Sequence, residues 1–207
     1  MKKILTTAIL CAGLVGFTAC DSFLDEDPKS SLTLDTYYKT SADIIGNVNY
    51  LYRDGAPDKM GNMTGAYRGS SLSVMNMVTG YFVNEYEGQE VDCSYARQLT
   101  RQDFTQSCCN YLTNDTWKSC YKSINVANAV IKYVDGVEMD NQAQYKAEAR
   151  FFRALNYFYL VKMFGDVPMV TEPTEDATLV EYPTRTAASE VFNTVIIPDL
   201  QFAVENL

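Results

Sequence analysis

Apolar residues along most of this chain recur at helical rather than alternating spacing. In the stretch from Ala147 to Phe164, Phe151, Ala154, Leu155 and Phe158 fall at i, i+3, i+4 and i+7, and Phe152, Tyr159 and Met163 make a second apolar stripe on another side. Two apolar faces require two packing neighbours, so this helix is expected in an inner layer. The remaining narrow strip carries Lys146, Arg150, Arg153 and Asn156. Gly165 is suited to the left-handed conformation that closes such a helix, before an extended exit through Asp166, Val167 and Pro168.

The same reading predicts further helices. Trp117, Tyr121, Ile124, Asn128 and Ile131 share one side of a helix from about Thr116 to Val134, with Asn114, Asp115 and Thr116 as candidate N-caps and Gly136 as the stop. Cys120, Ile124, Ala127, Ile131 and Val134 give an overlapping apolar face. Nearer the start, Thr40 and Asp43 stand three apart as in a capping box ahead of Ile44, Val48 and Leu51, in a helix ending near Gly55. Residues 56–69 are rich in Gly, Asn and Met and read as a loop, and Leu72 to Phe82 as helix. From Val83 to Thr113 the period lapses into an acidic, aromatic surface excursion. Thr174 to Thr186 is polar and irregular, and a final helix from Ala187 carries Val191, Phe192, Val195, Leu200, Ala203 and Leu207. Pro198 lies inside that pattern, which predicts a kink at Ile197 or two abutting helices. The expected fold class is all-α.

The first nineteen residues change the picture, because they read as a secretory signal. Lys2 and Lys3 precede an apolar or small run from Ile4 to Phe17, too short to span a bilayer at about 20 residues. Phe17-Thr18-Ala19-Cys20 resembles a bacterial lipobox, in which Cys20 becomes the acylated first residue of the mature protein; plain cleavage near Ala19 is the alternative. Several acyl chains, at about 0.8 kcal/mol per buried methylene, hold a protein to a membrane where one does so only marginally. The acidic stretch Asp21 to Lys29 follows as a tether. Loss of residues 1–19 lowers the 17 basic residues by two, to 15, against 26 acidic, for a formal charge near −11 instead of −9. That balance opposes nucleic-acid binding, which needs clustered Lys and Arg. The chain has no histidine, which removes Ser-His-Asp and Cys-His nucleophile systems and histidine-bearing zinc sites.

Candidate chemistry is sparse. Cys93, Cys108, Cys109 and Cys120 remain after Cys11 and Cys20, without CxxC spacing; they are read as thiols, with a disulfide from Cys120 to Cys108 or Cys109 as the competitor. Neither a metal nor a cofactor is expected. A glycosidase needs two carboxylates facing each other across a sugar. Glu148, beside Arg150 and Arg153, reads instead as a structural ion pair, and Asp166 as a turn support. Tyr121, Tyr157, Phe158 and Tyr159 read as core. In the irregular segment, Tyr86 and Tyr95, with Asn84, Gln89 and Arg97 nearby, offer the flat apolar face and hydrogen-bonding rim that stack on a sugar ring. Tyr86, Tyr95 and Arg97 are the candidate glycan contacts.

The run AEARFFRALNYFYLVKMFGDVPMVTEP from Ala147 to Pro173 resembles the SusD/RagB family of Bacteroidetes outer-membrane lipoproteins, as does the W-x3-Y-x2-I-N-x2-N arrangement from Trp117 to Asn128. The resemblance implies tetratricopeptide-like helical hairpins with long irregular loops, although no strict 34-residue repeat is detectable. It implies a signal peptide over 1–19, a lipidated acidic tether over 20–34, and a helical N-terminal domain over 35–207 of a longer protein. The implied role is non-enzymatic: a lipid-anchored protein on the outer face of the outer membrane that binds an oligosaccharide or similar nutrient and delivers it to a SusC-like TonB-dependent transporter. The RagB branch implies the alternative of a peptide- or protein-binding helical module. A secreted glycosidase using Glu148 is the remaining rival.

Overall fold

Two long helices joined by eight residues organise the molecule. A computed structural model describes residues 33–52, 78–81, 98, 100–103, 107–175 and 183–207, with backbone alone at Asp35 and 107–115. Leu34–Leu207 form one compact unit. In chain order the elements are α1 (Leu34–Tyr37), α2 (Ser41–Tyr50), α3 (Ser107–Tyr133), α4 (Gln142–Phe164), β1 (Val167–Pro168), β2 (Arg185–Thr186), α5 (Ala188–Val191) and α6 (Ile197–Asn206). The described residues are thus mainly helical, as the all-α reading expects.

Helices α3 and α4 form an antiparallel hairpin: ring centres of Trp117 and Phe164 lie 5.1 Å apart, those of Tyr121 and Tyr157 6.4 Å, and Asn128 meets Arg153 further along. The hairpin turns through a short 3-10 segment at Val134–Gly136. Gly136 therefore ends α3 without a left-handed residue. That conformation falls instead on Asn141 at φ 61°, ψ 31°, where α4 begins, a region asparagine tolerates better than most residues.

Each end of the hairpin seats a further helix. At one end, Ile44, Val48 and Leu51 are buried with Ala127, Val130, Val134, Ala149 and Phe152. Here the expected capping box is present: the Thr40 backbone N–H donates to Asp43 Oδ2 at 2.8 Å and the Thr40 hydroxyl at 2.6 Å. At the other end, Cys120, Ile124, Tyr157, Leu160 and Val167 enclose Val191, Val195 and Ile196 of the last helical stretch. That stretch runs antiparallel to α4, since Phe192 meets Phe158 while Asp199 meets Arg153 and Phe202 meets Arg150. Pro198 lies in the first turn of α6, and a π-helical turn at Phe192–Ile196 joins α5 to it. Helical backbone continues through Ile197, so of the two expectations it is the abutting helices that form, joined by a wider turn that accommodates the Pro198 ring and its missing donor.

Several boundaries differ from expectation. Helix α3 starts at Ser107, not near Thr116, and Thr116 is fully buried inside it. Capping residues are preferences worth about 1 kcal/mol, and extending a formed helix adds one hydrogen bond per residue. The start of α3 also disposes of the disulfide: Cys120 is eleven and twelve residues from Cys109 and Cys108 on one continuous helix, about 16–18 Å of axial rise, whereas a bridge needs Cα atoms within about 7 Å. Cys120 is a free, buried thiol. Burial pushes it up to about 12. The polar stretch after Pro173 holds a short strand: β2 pairs antiparallel with β1, Val167 opposite Thr186 and Pro168 opposite Arg185. The loop at 56–69 and seven of the eleven residues of the helix expected over Leu72–Phe82 lie outside the described residues; the four described, 78–81, form a turn and bend in place of helix.

Helix α4 carries the largest correction. Phe151 and Phe158, expected in the core, are 37% and 39% exposed, whereas Arg153 and Asn156, expected on a solvent strip, are 8% and 1% exposed. The helix is turned so that Arg153 and Asn156 of its polar strip face inward, while Lys146 at the other end of the strip pairs with the exposed Asp135.

Candidate functional site

Where that polar strip points, three helices and the exit segment after α4 meet. The exit departs at Gly165, whose φ of 69° and ψ of −124° belong to a region only glycine enters freely. From there the backbone runs back across the hairpin and is fastened by side chains of both helices. Tyr121 donates its hydroxyl to the Pro168 carbonyl at 2.7 Å. Tyr157 donates to the Val170 carbonyl at 2.8 Å and accepts from the Val170 N–H at 2.7 Å. Asn128 Nδ2 donates to the carbonyls of Val170 at 3.0 Å and Glu172 at 3.2 Å, and Asn125 Oδ1 accepts from the Thr174 N–H at 2.8 Å. An extended segment without a full sheet partner must satisfy its backbone groups somewhere, and here side chains at helical spacing do it.

The Arg153 guanidinium closes the network. Its Nε and Nη2 donate to the two carboxylate oxygens of Asp199 at 2.6 and 2.9 Å, and Nη1 donates to Asn128 Oδ1 at 2.9 Å, with the Thr171 carbonyl 3.5 Å away. Arg150 sits over the Phe202 ring at 4.2 Å, its Nε 3.9 Å from Asp199. Desolvation raises the tyrosines here: Tyr157 is pushed up to about 12, the Val170 backbone bond opposing the shift, and Tyr121 higher still. Both phenols therefore remain protonated donors throughout the physiological range.

The carboxylates singled out from sequence are also engaged. Glu148 is nearly buried and accepts from Gln144 Nε2 at 3.1 Å, and its charge and hydrogen bond add to desolvation in raising the Tyr52 hydroxyl. The ion pair expected for Glu148 with Arg150 or Arg153 does not form, because both guanidinium groups turn toward Asp199. Asp166, expected to brace its own turn, reaches instead across the fold: its Oδ1 accepts the Ala188 N–H at 2.9 Å, capping α5, whose own N-cap position is the unhelpful Ala187.

The polar motif residues thus build scaffold. Tyr86, Tyr95 and Arg97, with Cys20 and Cys93, lie outside the described residues, so the structure neither gathers nor separates them. Among the described residues there is no group of three or more His, Cys, Asp or Glu side chains fit to hold a metal, and no helix is long and apolar enough to cross a membrane. Sequence reasoning missed Asp199, which holds the network's central arginine. The available signal was a lone aspartate on the α4-facing side of α6, at i−4 from the buried Ala203.

Residues 22–207 match the SusD-like family described as "Starch-binding associating with outer membrane". A SusD-like protein of Formosa agariphila is 28% identical over 208 residues, covering 99% of this chain and 38% of its own length. A SusD-like protein of Bacteroides ovatus is 28% identical over 212 residues, with 99% and 34% covered. The chain thus spans a little over a third of the length of these curated relatives. Among solved structures, a SusD superfamily protein of Parabacteroides distasonis aligns with a TM-score of 0.60 at 22% identity, covering 85% of this chain and 35% of that one. A SusD-like carbohydrate-binding protein of Bacteroides fragilis aligns at 0.62 and 18% identity, with 83% and 32% covered. A structure solved with a xylogluco-oligosaccharide aligns at 0.51 and 24% identity, with 76% and 30% covered. These likenesses establish the helical, tetratricopeptide-like fold.

Proposed function

Because the chain belongs to the SusD-like family, whose members associate with the outer membrane, we propose that it is part of a non-catalytic nutrient-binding lipoprotein. In this reading Cys20 carries the acyl chains, the acidic residues after it lead to the outer face of the membrane, and the protein captures an oligosaccharide and hands it to a SusC-like TonB-dependent transporter. The observation that carries the reading is the family match over residues 22–207. Relatives described as starch-binding or carbohydrate-binding, and one solved with a xylogluco-oligosaccharide, support a glycan as the ligand class. Tyr86, Tyr95 and Arg97 are the glycan contacts proposed on this chain. Their fit to a sugar is chemical: an aromatic face excludes water from the ring, and polar groups beside it select hydroxyl positions.

Calorimetric titration of the purified protein with a panel including starch and xyloglucan oligosaccharides tests the reading. Heat of binding without release of reducing ends is expected, weakened at least about tenfold by Tyr86→Ala with Tyr95→Ala, as for loss of stacking anchors. Reducing-sugar formation overturns the non-catalytic role, and binding of peptides in place of glycans moves the protein to the RagB-like alternative. Intact-mass spectrometry of membrane-extracted protein tests the anchor, with an unmodified mature terminus excluding it.

A further inference from the structure

The Arg153 guanidinium touches three elements at once. It pairs with Asp199 on α6, donates to Asn128 on α3, and lies 3.5 Å from the Thr171 carbonyl of the exit segment. Asn128 relays the contact, since its Oδ1 is held by Arg153 and its Nδ2 holds Val170 and Glu172. We infer that Arg153 is a latch through which docking of α6 fixes the placement of the exit segment, so that the two order and loosen as one unit although no covalently adjacent residues join them.

The physical reason is the asymmetry of a buried charge. Arg153 and Asp199 are 8% and 2% exposed. When α6 lifts away, the guanidinium loses its carboxylate and leaves an uncompensated charge in the interior, costing far more than a missing neutral bond. Its relief is to withdraw toward water. That movement takes Nη1 off Asn128 and frees an amide whose orientation had been set by what its oxygen accepts, so Val170 and Glu172 lose their fixed donor. The apolar contacts of α6 would not propagate in this way. Val195 and Ile196 of the turn that leads into α6 pack with Leu160, Val191 and the exit segment's Val167, and a packing contact loosens without forcing another group to turn. Because the coupling is a free energy shared by two segments, it is reciprocal.

Site-resolved amide hydrogen exchange on the protein tests this. The reporters are the Val170 N–H, held by Tyr157, and the Thr174 N–H, held by Asn125, neither of which touches Asp199 in the network. Asp199→Asn is expected to accelerate both by about tenfold or more, within the range of coupling between contacting residues. Asn128→Ala is expected to accelerate Phe202 and Ala203 in α6 by a similar factor. Ile44→Ala, which lowers stability from the opposite end of the hairpin, serves as the control and is expected to leave the ratio between these reporters and the α3 interior unchanged. Acceleration confined to the mutated element, or an equal rise of that ratio in the control, overturns the latch. Should Asp199→Asn fail to fold, Arg153→Lys keeps the charge but not the fork that spans both partners; faster exchange at Val170 and Thr174 then supports the coupling, and unchanged exchange refutes it.

Discussion

The two ends of the α3–α4 hairpin solve one problem in different ways. Both seat an extra helix on the same pair, yet α2 is held by Ile44, Val48 and Leu51 against an apolar surface, while α6 is held by Val195 and Ile196 of the adjoining turn plus a buried Arg153–Asp199 pair. The apolar seat is permissive, because hydrocarbon packs against hydrocarbon in many registers at small cost. The polar seat accepts one register, since a guanidinium fork meets a carboxylate in one geometry and a mismatch strands both charges. The polar end is also where the chain must thread an extended segment across the hairpin, with backbone groups that need specific partners.

The largest effect expected from this contrast is at Asp199. Asp199→Ala removes one member of a buried pair and is expected to cost about 3–5 kcal/mol in urea unfolding. Replacing both members with apolar residues, as in Arg153→Met with Asp199→Leu, is expected to recover most of that loss, because no buried charge is left unpaired. If the single change costs under about 1 kcal/mol, the pair behaves as a surface salt bridge and the two ends are not different in kind. Next in size, Ile44→Ala at the apolar end is expected to cost about 3 kcal/mol, the transfer term plus that of the cavity left behind. A double change that breaks both ends should be additive, because the sites share no partner.

The same contrast explains what could be read from the sequence. The apolar end was legible down to its residues: Ile44, Val48 and Leu51 lie at the spacing that periodicity detects, and Thr40 with Asp43 form the local cap their spacing announces. Periodicity fails at the polar end because it counts Arg153 and Asn156 as solvent-facing, when their partners come from forty-six residues away in one case and from the backbone in the other. Phe151 and Phe158 were misassigned by the same error, since rotating the helix to bury the polar strip carries them outward. Tyr121, Asn125 and Asn128 were visible as a motif, but their task of holding the carbonyls and N–H groups of residues 168–174 is set by tertiary geometry. The proposed glycan contacts, Tyr86, Tyr95 and Arg97, rest on side-chain chemistry alone.

An intermediate effect is expected at Tyr157, whose hydroxyl both donates to and accepts from Val170. Tyr157→Phe leaves the Val170 N–H without its acceptor, while the Val170 carbonyl keeps Asn128, and is expected to cost about 2 kcal/mol. This tyrosine also gives the polar end a signature in alkali. Its folded value, about 12, lies above the ordinary 10, so its contribution is complete below pH 10 and is lost as the pH rises through 12, where the unfolded chain has already released the proton. Stability of the native protein is expected to fall over that interval. Tyr157→Phe should flatten the decline, Tyr38, Tyr121 and Cys120 supplying what remains; an unchanged slope would show that the Tyr157 hydroxyl titrates freely.

The smallest effect sharpens the comparison by showing how local the apolar end is. Thr40→Ala removes the hydroxyl from a cap whose donor and acceptor lie within one helical turn and leaves the backbone bond to Asp43, and about 1 kcal/mol is expected. Hydrogen bonds from Thr40 hold the Asp43 carboxyl below its usual value, so this contribution is present above the ordinary carboxylate range and is lost as the pH falls through the lowered folded value, opposite in sign to Tyr157. Amide exchange should quicken only in the first turn of α2. The cap of α5 is the counterpart, since Asp166 reaches the Ala188 N–H across twenty-two residues. Asp166→Ala is therefore expected to disturb two segments where Thr40→Ala disturbs one. Equal, purely local responses would mean that the polar end is fastened piece by piece, like the apolar one.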